Sequence, residues 1–431
     1  MLRLSASVLL ALMAVFNFLQ LAQPSVPTWL SGLCAWLSLA LLFTCTPWRH
    51  FIQFWLLAGF GTAFLCWGFS RGAEISFSDL LVQNNSLLVM LYSVGFLRLV
   101  AIPTAETGEL PRGPIAFIKT MLGIHVLGAV INLSILVLVA GRYHALGLLR
   151  RDTVSLMGQA FSAAAFWSPF FAAMGVALTY APGAQLLAVM VYGLLLTVMA
   201  LVLMTLLAGG WRLQRIQDFP GYPMQLSNLV IPATLAVGVM GLHLLFPHIT
   251  VLSLVATSSI SLVFAVLLFR NKHSAWPQFK QHLLEAAPRM GRELALFLGA
   301  GVLSLGLQTV LGTIGEFQIL KQFGGVEASL LLGGAILVSM LGIHPIISIA
   351  VIGPLVLPLQ PNLELLATLF LSMWSLGVVA NPISGTNVML HGQFGVSGRD
   401  AFRWNLKYVI LMWLLSSLVF ALLSGSLVMG F

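Results

Sequence analysis

Apolar runs of about 20 residues recur from one end of this sequence to the other, and that length is what a helix needs to cross the hydrocarbon core of a bilayer. In lipid every backbone N–H and C=O must be satisfied within the protein, so runs of this kind leave helices as the spanning element. Candidate spans fall at 4–22, 29–46, 51–69, 80–102, 114–140, 153–180 and 184–208, then at 226–245, 249–269, 293–313, 326–358, 362–391 and 404–429. At about 1.5 Å of rise per residue the segment 326–358 is too long for one upright crossing. It predicts either two short crossings or one tilted crossing with a half-crossing. Arg3 and the apolar run behind it resemble a signal peptide, yet no small-residue cleavage site stands before the second span, so 4–22 reads as a retained helix. Charged residues are 7% of the chain, against roughly 25% in soluble domains, and no stretch is polar enough to fold as a separate soluble domain. The expectation is an all-α polytopic membrane protein with about 12–14 transmembrane segments.

The formal charge is +8. In a soluble chain that excess would suggest nucleic acid. Here the cations stand in short loops between apolar runs, where positive-inside orientation accounts for them, and no nucleic-acid partner is expected. Arg142, Arg150 and Arg151 follow one span, Arg212 and Arg215 another, and Arg399, Arg403 and Lys407 precede the last, whereas the alternate connections near 180–184, 246–248 and 358–362 carry no Lys or Arg. Within the longest basic loop, Trp276, Phe279, Leu283 and Leu284 predict a short helix, either on the cytoplasmic interface or as a covered linker. Cys34, Cys45 and Cys66 match no metal or redox spacing and read as packing residues. No GxxxxGK[ST] loop points to ATP as a direct energy source.

The pentapeptide Met-Leu-Gly-Ile-His occurs twice, at Met121–His125 and Met340–His344. After each copy comes a small, hydroxyl-rich apolar stretch broken at a proline: Ser168–Pro169 in the first half, Asn381–Pro382 in the second. The loop behind the first copy is strongly basic and the loop behind the second has no cation, so the copies are expected to run in opposite directions across the membrane. Two inverted-topology repeats with broken helices at the midplane are a layout of secondary transporters, whose substrate sites lie at the breaks. The expected organisation is a first repeat over 1–215, inter-repeat spans and a basic cytoplasmic loop over 216–292, and the core of a second repeat over 293–431.

Asn381–Asn387 is the most polar stretch inside any candidate span. Pro382 removes a backbone donor and Gly385 lets the chain turn. Asn381, Ser384, Thr386 and Asn387 supply neutral oxygens and amides suited to a partly dehydrated sodium ion or to a carboxylate, with half-helix N-termini adding positive potential. A proline-kinked helix with its polar groups bonded to nearby backbone is the plainer alternative. Ser162 and Ser168 are the first-half counterpart. His125 and His344 could couple transport to protons, or hold helices together as neutral hydrogen-bonding groups. They have no carboxylates or cysteines at ligand spacing, so no metal site is expected. Gln83, Asn84, Asn85 and Ser86 read as a helix cap. Glu293 and Glu316 come closest to apolar cores, and this scarcity of acids at depth favours an anionic or neutral substrate over a cation.

Two halves of opposite orientation, each with a broken helix bearing small polar residues at a proline, resemble the ion transporter superfamily. It contains divalent anion/sodium symporters, citrate and gluconate permeases, arsenite permeases and the large membrane subunits of TRAP transporters. Asn381–Asn387 looks like the Ser/Asn/Thr-rich loops of that superfamily, and Ser168–Pro169 sits where its first loop would, although the first half lacks a full Ser-Asn-Thr cluster. The resemblance implies a scaffold domain, a moving transport domain, a homodimer and elevator-type alternating access. The function expected is secondary active transport of a small anion, an organic carboxylate, coupled to sodium or protons, with Na+ as coupling ion and no cofactor. The expected location is a bacterial inner membrane. The alternatives are a membrane subunit of a multi-component transporter, an anion exporter, and a membrane-embedded transferase.

Overall fold

A computed structural model of the chain describes residues 1–101, 110–210, 213–224, 230–270, 272–314 and 320–426. Arg212 and Glu316 lie outside the described residues. In chain order the helices are α1 (Leu2–Ala22), α2 (Trp29–Cys45), α3 (Ile52–Ser70), α4 (Phe77–Val82), α5 (Asn85–Val94), α6 (Arg98–Ala101), α7 (Pro114–Ile131), α8 (Ser134–Ala145), α9 (Arg151–Ala163) and α10 (Ala172–Tyr180). They continue with α11 (Leu186–Gly209), α12 (Val230–Leu245), α13 (Val251–Arg270), α14 (Lys272–Leu284), α15 (Ala286–Ile314), α16 (Gly325–Met340), α17 (Pro345–Val356), α18 (Leu363–Ala380), α19 (Gly385–Phe394) and α20 (Gly398–Ser426). Among the described residues nine helical stretches are long and apolar enough to cross a membrane, and shorter apolar helices accompany them. The protein is an all-α polytopic membrane protein.

Two expected spans are interrupted where no proline stands at the break, and a third just before Pro345. The 80–102 span breaks at Gln83–Asn84, where Asn84 adopts the left-handed conformation (φ 57°, ψ 11°). The 114–140 span breaks at Asn132, with φ 54° and ψ −140°. The 326–358 segment divides at 341–344 into α16 and α17, which resolves its excess length. Asparagine tolerates positive φ better than other residues with a Cβ, so it can end a helix without glycine.

Contacts divide the chain into two compact units, each drawn from separated stretches. The first comprises Met1–Val100, Leu235–Lys321 and Ala350–Pro358. In it α3 and α15 approach so closely that a Cβ on Gly61 would stand 2.6 Å from the backbone of Val302 and Leu303, and one on Gly306 would stand 2.4 Å from the Gly61 carbonyl. Only glycines allow that approach. Buried serines tie the apolar helices together: Ser31 Oγ donates to the Met13 carbonyl at 2.7 Å and Ser38 Oγ to the Ala6 carbonyl at 3.0 Å. Such bonds are worth about 1 kcal/mol each. Asn84, expected to cap, makes no side-chain cap bond; its Nδ2 donates instead to the Phe297 carbonyl at 2.8 Å. The helix expected in the basic loop is α14, with Phe279 against Phe96 and Trp276 exposed.

The second unit comprises Ala101–Thr234, Gln322–Ile349 and Leu359–Phe431. One order of elements occurs in it twice. Around Ser168, α7 begins 54 residues before, α9 begins 17 before, α10 begins 4 after and α11 begins 18 after. Around Asn381, α16 begins 56 before, α18 begins 18 before, α19 begins 4 after and α20 begins 17 after. The two X-Pro positions are therefore the points at which the halves correspond. The pentapeptide is not: Met121–His125 lies within α7, whereas Met340–His344 covers the end of α16 and the break after it.

Candidate functional site

The chemistry of the second unit gathers at its broken helices. A helix end leaves four N–H or four C=O groups without intrahelical partners, and at membrane depth each needs one from elsewhere. Between α9 and α10 the chain runs through a short 3-10 turn (Ala164–Phe166) and then Trp167–Phe171. Ser168 Oγ accepts from the Phe170 N–H at 3.2 Å and donates to the Ala129 carbonyl at 2.6 Å. Between α18 and α19, Asn381 Oδ1 accepts from the Ile383 N–H at 2.9 Å and its Nδ2 donates to the Ile343 carbonyl at 3.1 Å. Each residue before a proline thus makes the same pair of bonds. One goes to the N–H two residues on, the other to a carbonyl at the partner break, near Asn132 in the first case and at 341–344 in the second.

The Asn381 break is closed further from α19. Asn387 Nδ2 donates to the Asn381 carbonyl at 2.8 Å, and Ser384 Oγ, the N-cap, accepts from the Asn387 N–H at 3.4 Å. Thr386 is buried in the first turn of α19. Gly385 lies beside the other half, since a Cβ there would stand 4.0 Å from Leu133 Cδ1. The N-termini of α8 and α19 therefore converge, and half-helix N-termini present positive potential.

Ser162 and Ser375 stand six residues before Ser168 and Asn381 respectively. Ser375 Oγ donates to the Ser162 carbonyl at 2.9 Å. The hydroxyls of Ser162 and Ser339, both buried, have no hydrogen-bond partner among the described residues. Buried polar atoms left unpaired cost about 1–3 kcal/mol each, which marks these two as places for a water, ion or ligand.

The repeat histidines take different positions. His125 Nδ1 lies 3.1 Å from the Ala160 carbonyl and its Nε2 accepts from Trp167 Nε1 at 3.0 Å. The neutral Nδ1–H tautomer satisfies both bonds. His344 Nδ1 accepts from the Ile346 N–H at 3.2 Å, and its ring packs edge-on to Trp374 at 5.0 Å. All eight residues expected at the site, Ser162, Ser168, Asn381, Ser384, Thr386, Asn387, His125 and His344, lie in the second unit. Ser375, Ser339 and Asn132 were not expected. Ser375 could have been found by counting back six residues from the X-Pro position, and Asn132 by its polarity within an apolar run.

Among the described residues no group of His, Cys, Asp or Glu could hold a metal ion. No protein-family model and no curated protein matches the sequence. Among solved structures, the crystal structure of the Alcanivorax borkumensis YdaH transporter is similar, at 15% identity and a TM-score of 0.49, over 79% of this chain and 85% of that one.

Proposed function

We propose that this protein is a secondary active transporter that carries a small organic carboxylate across the membrane by alternating access. The observation that carries this reading is the matched pair of X-Pro breaks, with Ser168 and Asn381 each cross-linked to a second break and Ser375 bonded to its counterpart Ser162. Interrupted helices in a membrane protein are tolerated where they line a cavity, and in transporters they form the substrate and ion sites. Asn381, Ser384, Thr386 and Asn387 would hold substrate or sodium from one side, and Ser162 and Ser168 from the other. The converging N-termini of α8 and α19 favour an anion.

An inverted arrangement of the two repeats fits the contacts within the second unit. The Gln185 N–H, just before α11, donates to Glu364 at the start of α18, while Gln159 of α9 donates to Asn405 of α20 at 2.7 Å. The start of α18 thus meets the far end of the first repeat, and α9 meets the later part of the second. Helices related in this way run in opposite senses, and the basic loops place the start of the first repeat in the cytoplasm. Membership of the ion transporter superfamily, an elevator motion of the second unit, a homodimer and sodium or proton coupling belong to the same reading.

The test is thermal stability of the purified protein in sodium against choline buffers with a panel of small carboxylates. A ligand that binds the native state raises the melting temperature by mass action. A rise with one carboxylate that grows with sodium, lost in Asn381→Ala, is expected. A flat response across the panel at two pH values, with no uptake into proteoliposomes, would overturn the reading.

A further inference from the structure

A cavity of about 890 Å3 opens in the second unit among α9, α11, α20 and the 215–220 segment, and none of the residues assigned above to transport lines it. Its walls carry Arg112, Arg150, Arg151, Arg215 and Lys407 against Asp152 and Asp218, so five cations face two carboxylates and a local excess of three positive charges remains. Among the described residues none of these five cations stands within ion-pair distance of a carboxylate. Deeper in the cavity, Tyr408 is 1% exposed and its hydroxyl has no hydrogen-bond partner among the described residues. The Ser155 hydroxyl on the same wall is likewise buried and unpaired.

The five cations are exposed, so water screens their repulsion, yet their excess over Asp152 and Asp218 leaves a positive mouth, and a buried hydroxyl without a partner costs stability. One ligand with negative charge at the mouth and acceptor oxygens inside would match both features. A monocarboxylate would leave two of the three charges unmatched. A tetrahedral oxyanion carries enough charge and enough acceptor oxygens, and guanidinium forks match its geometry. We propose that this cavity binds a phosphate group, either as free phosphate or as the headgroup of an anionic lipid. Arg150, Arg151, Arg215 and Lys407 would take its charge, and Tyr408 would donate from the inner wall. A lipid source is open because the cavity lies between membrane-spanning helices at a basic end, where acidic headgroups dock.

The site is tested on the full-length protein. In zwitterionic detergent at low ionic strength, titration with inorganic phosphate followed by calorimetry should show binding that weakens with added salt. Arg150→Gln with Arg151→Gln should weaken it at least about tenfold, and Tyr408→Phe, which keeps the ring, by roughly threefold. In nanodiscs, native mass spectrometry should separate the two sources. Retention of phosphatidylglycerol over phosphatidylcholine, displaced by phosphate and lost in the double variant, identifies the lipid headgroup. Phosphate binding with no lipid preference identifies the free anion. If neither phosphate nor phosphatidylglycerol distinguishes the wild type from folded Tyr408→Phe and the folded double variant, the site is not an anion site. Should the double variant fail to fold, Tyr408→Phe alone decides. Transport of a carboxylate is not required for either outcome.

Discussion

Ser375 donates its hydroxyl to the Ser162 carbonyl at 2.9 Å, and each of these serines stands six residues before the X-Pro break of its own half. The two serines occupy matching places in the repeated order of elements, one near the end of α9 and the other in α18. The two serines differ in consequence. Ser375 Oγ has a partner, whereas Ser162 Oγ is buried without one. Ser375→Ala should cost about 1 kcal/mol, and Ser162→Ala should change stability by less than about 0.5 kcal/mol. If the Ser162 hydroxyl serves a ligand, Ser162→Ala keeps the melting temperature of the unliganded protein and loses the ligand-dependent rise. Equal losses of stability in both variants would contradict this assignment.

Asn381 ties its break in two directions, to Ile383 and to Ile343. Removing the side chain leaves a buried donor and a buried acceptor unpaired, so Asn381→Ala should cost about 2–4 kcal/mol. Asn381→Asp keeps the acceptor for the Ile383 N–H but sets a buried carboxylate against the Ile343 carbonyl, so at neutral pH its loss should exceed that of Asn381→Ala. Asn387→Ala removes only the bond to the Asn381 carbonyl and should cost about 1–2 kcal/mol. Melting temperatures should fall most in Asn381→Asp, less in Asn381→Ala and least in Asn387→Ala.

The breaks at Ser168–Pro169 and Asn381–Pro382 were legible because proline removes a backbone donor and blocks helical continuation. Asn132 was not, because a lone asparagine is compatible with helix, and Gln83, Asn84, Asn85 and Ser86 read as a cap at the start of their span rather than a break within it. Hydropathy placed the spans because burial in lipid depends on composition. It could not separate 114–140 into α7 and α8, since both flanks of Asn132 are equally apolar. The pentapeptide drew attention to a duplication whose structural frame lies elsewhere, at the X-Pro pairs. Leu, Gly and Ile recur too often in apolar helices for a five-residue match to fix a register. The cationic cavity draws Arg150, Arg215 and Lys407 from widely separated stretches, and sequence alone showed them only as charges beside the spans.

Gly193 sets the distance between α11 and the turn that precedes Ser168. A Cβ there would stand 1.9 Å from the Phe166 carbonyl oxygen and 2.7 Å from its carbon. Backbone cannot yield as a side-chain tip does, so Gly193→Ala should cost about 3 kcal/mol or more and sharply lower the yield of folded protein. Gly238, on α12, has nothing within 4 Å of the equivalent position. Gly238→Ala should express like the wild type. Size-exclusion profiles of the two variants in detergent check the contrast.

His282, on α14 outside the membrane spans, gives the protein a pH dependence. Burial first, then Arg289 and Arg98, push its pKa down to about 4, with Glu285 opposing. Arg289 Nη1 donates to His282 Nδ1 at 3.1 Å, a bond that only the neutral ring accepts, and Phe96 packs on the ring at 4.5 Å. Unfolded, the same ring titrates near 6.5. Between pH 4 and 6.5 the unfolded chain therefore binds the proton that the folded chain refuses, and stability falls as pH falls through that window. The contribution is fully present above about pH 6.5. Its loss by about pH 4 amounts to as much as about 3 kcal/mol. His282→Gln keeps an acceptor for Arg289 and cannot titrate. Its melting temperature should change less between pH 7 and pH 4.5 than that of the wild type, with the two proteins closest at pH 7. Parallel curves for the two proteins across that range would show that His282 is protonated alike in both states.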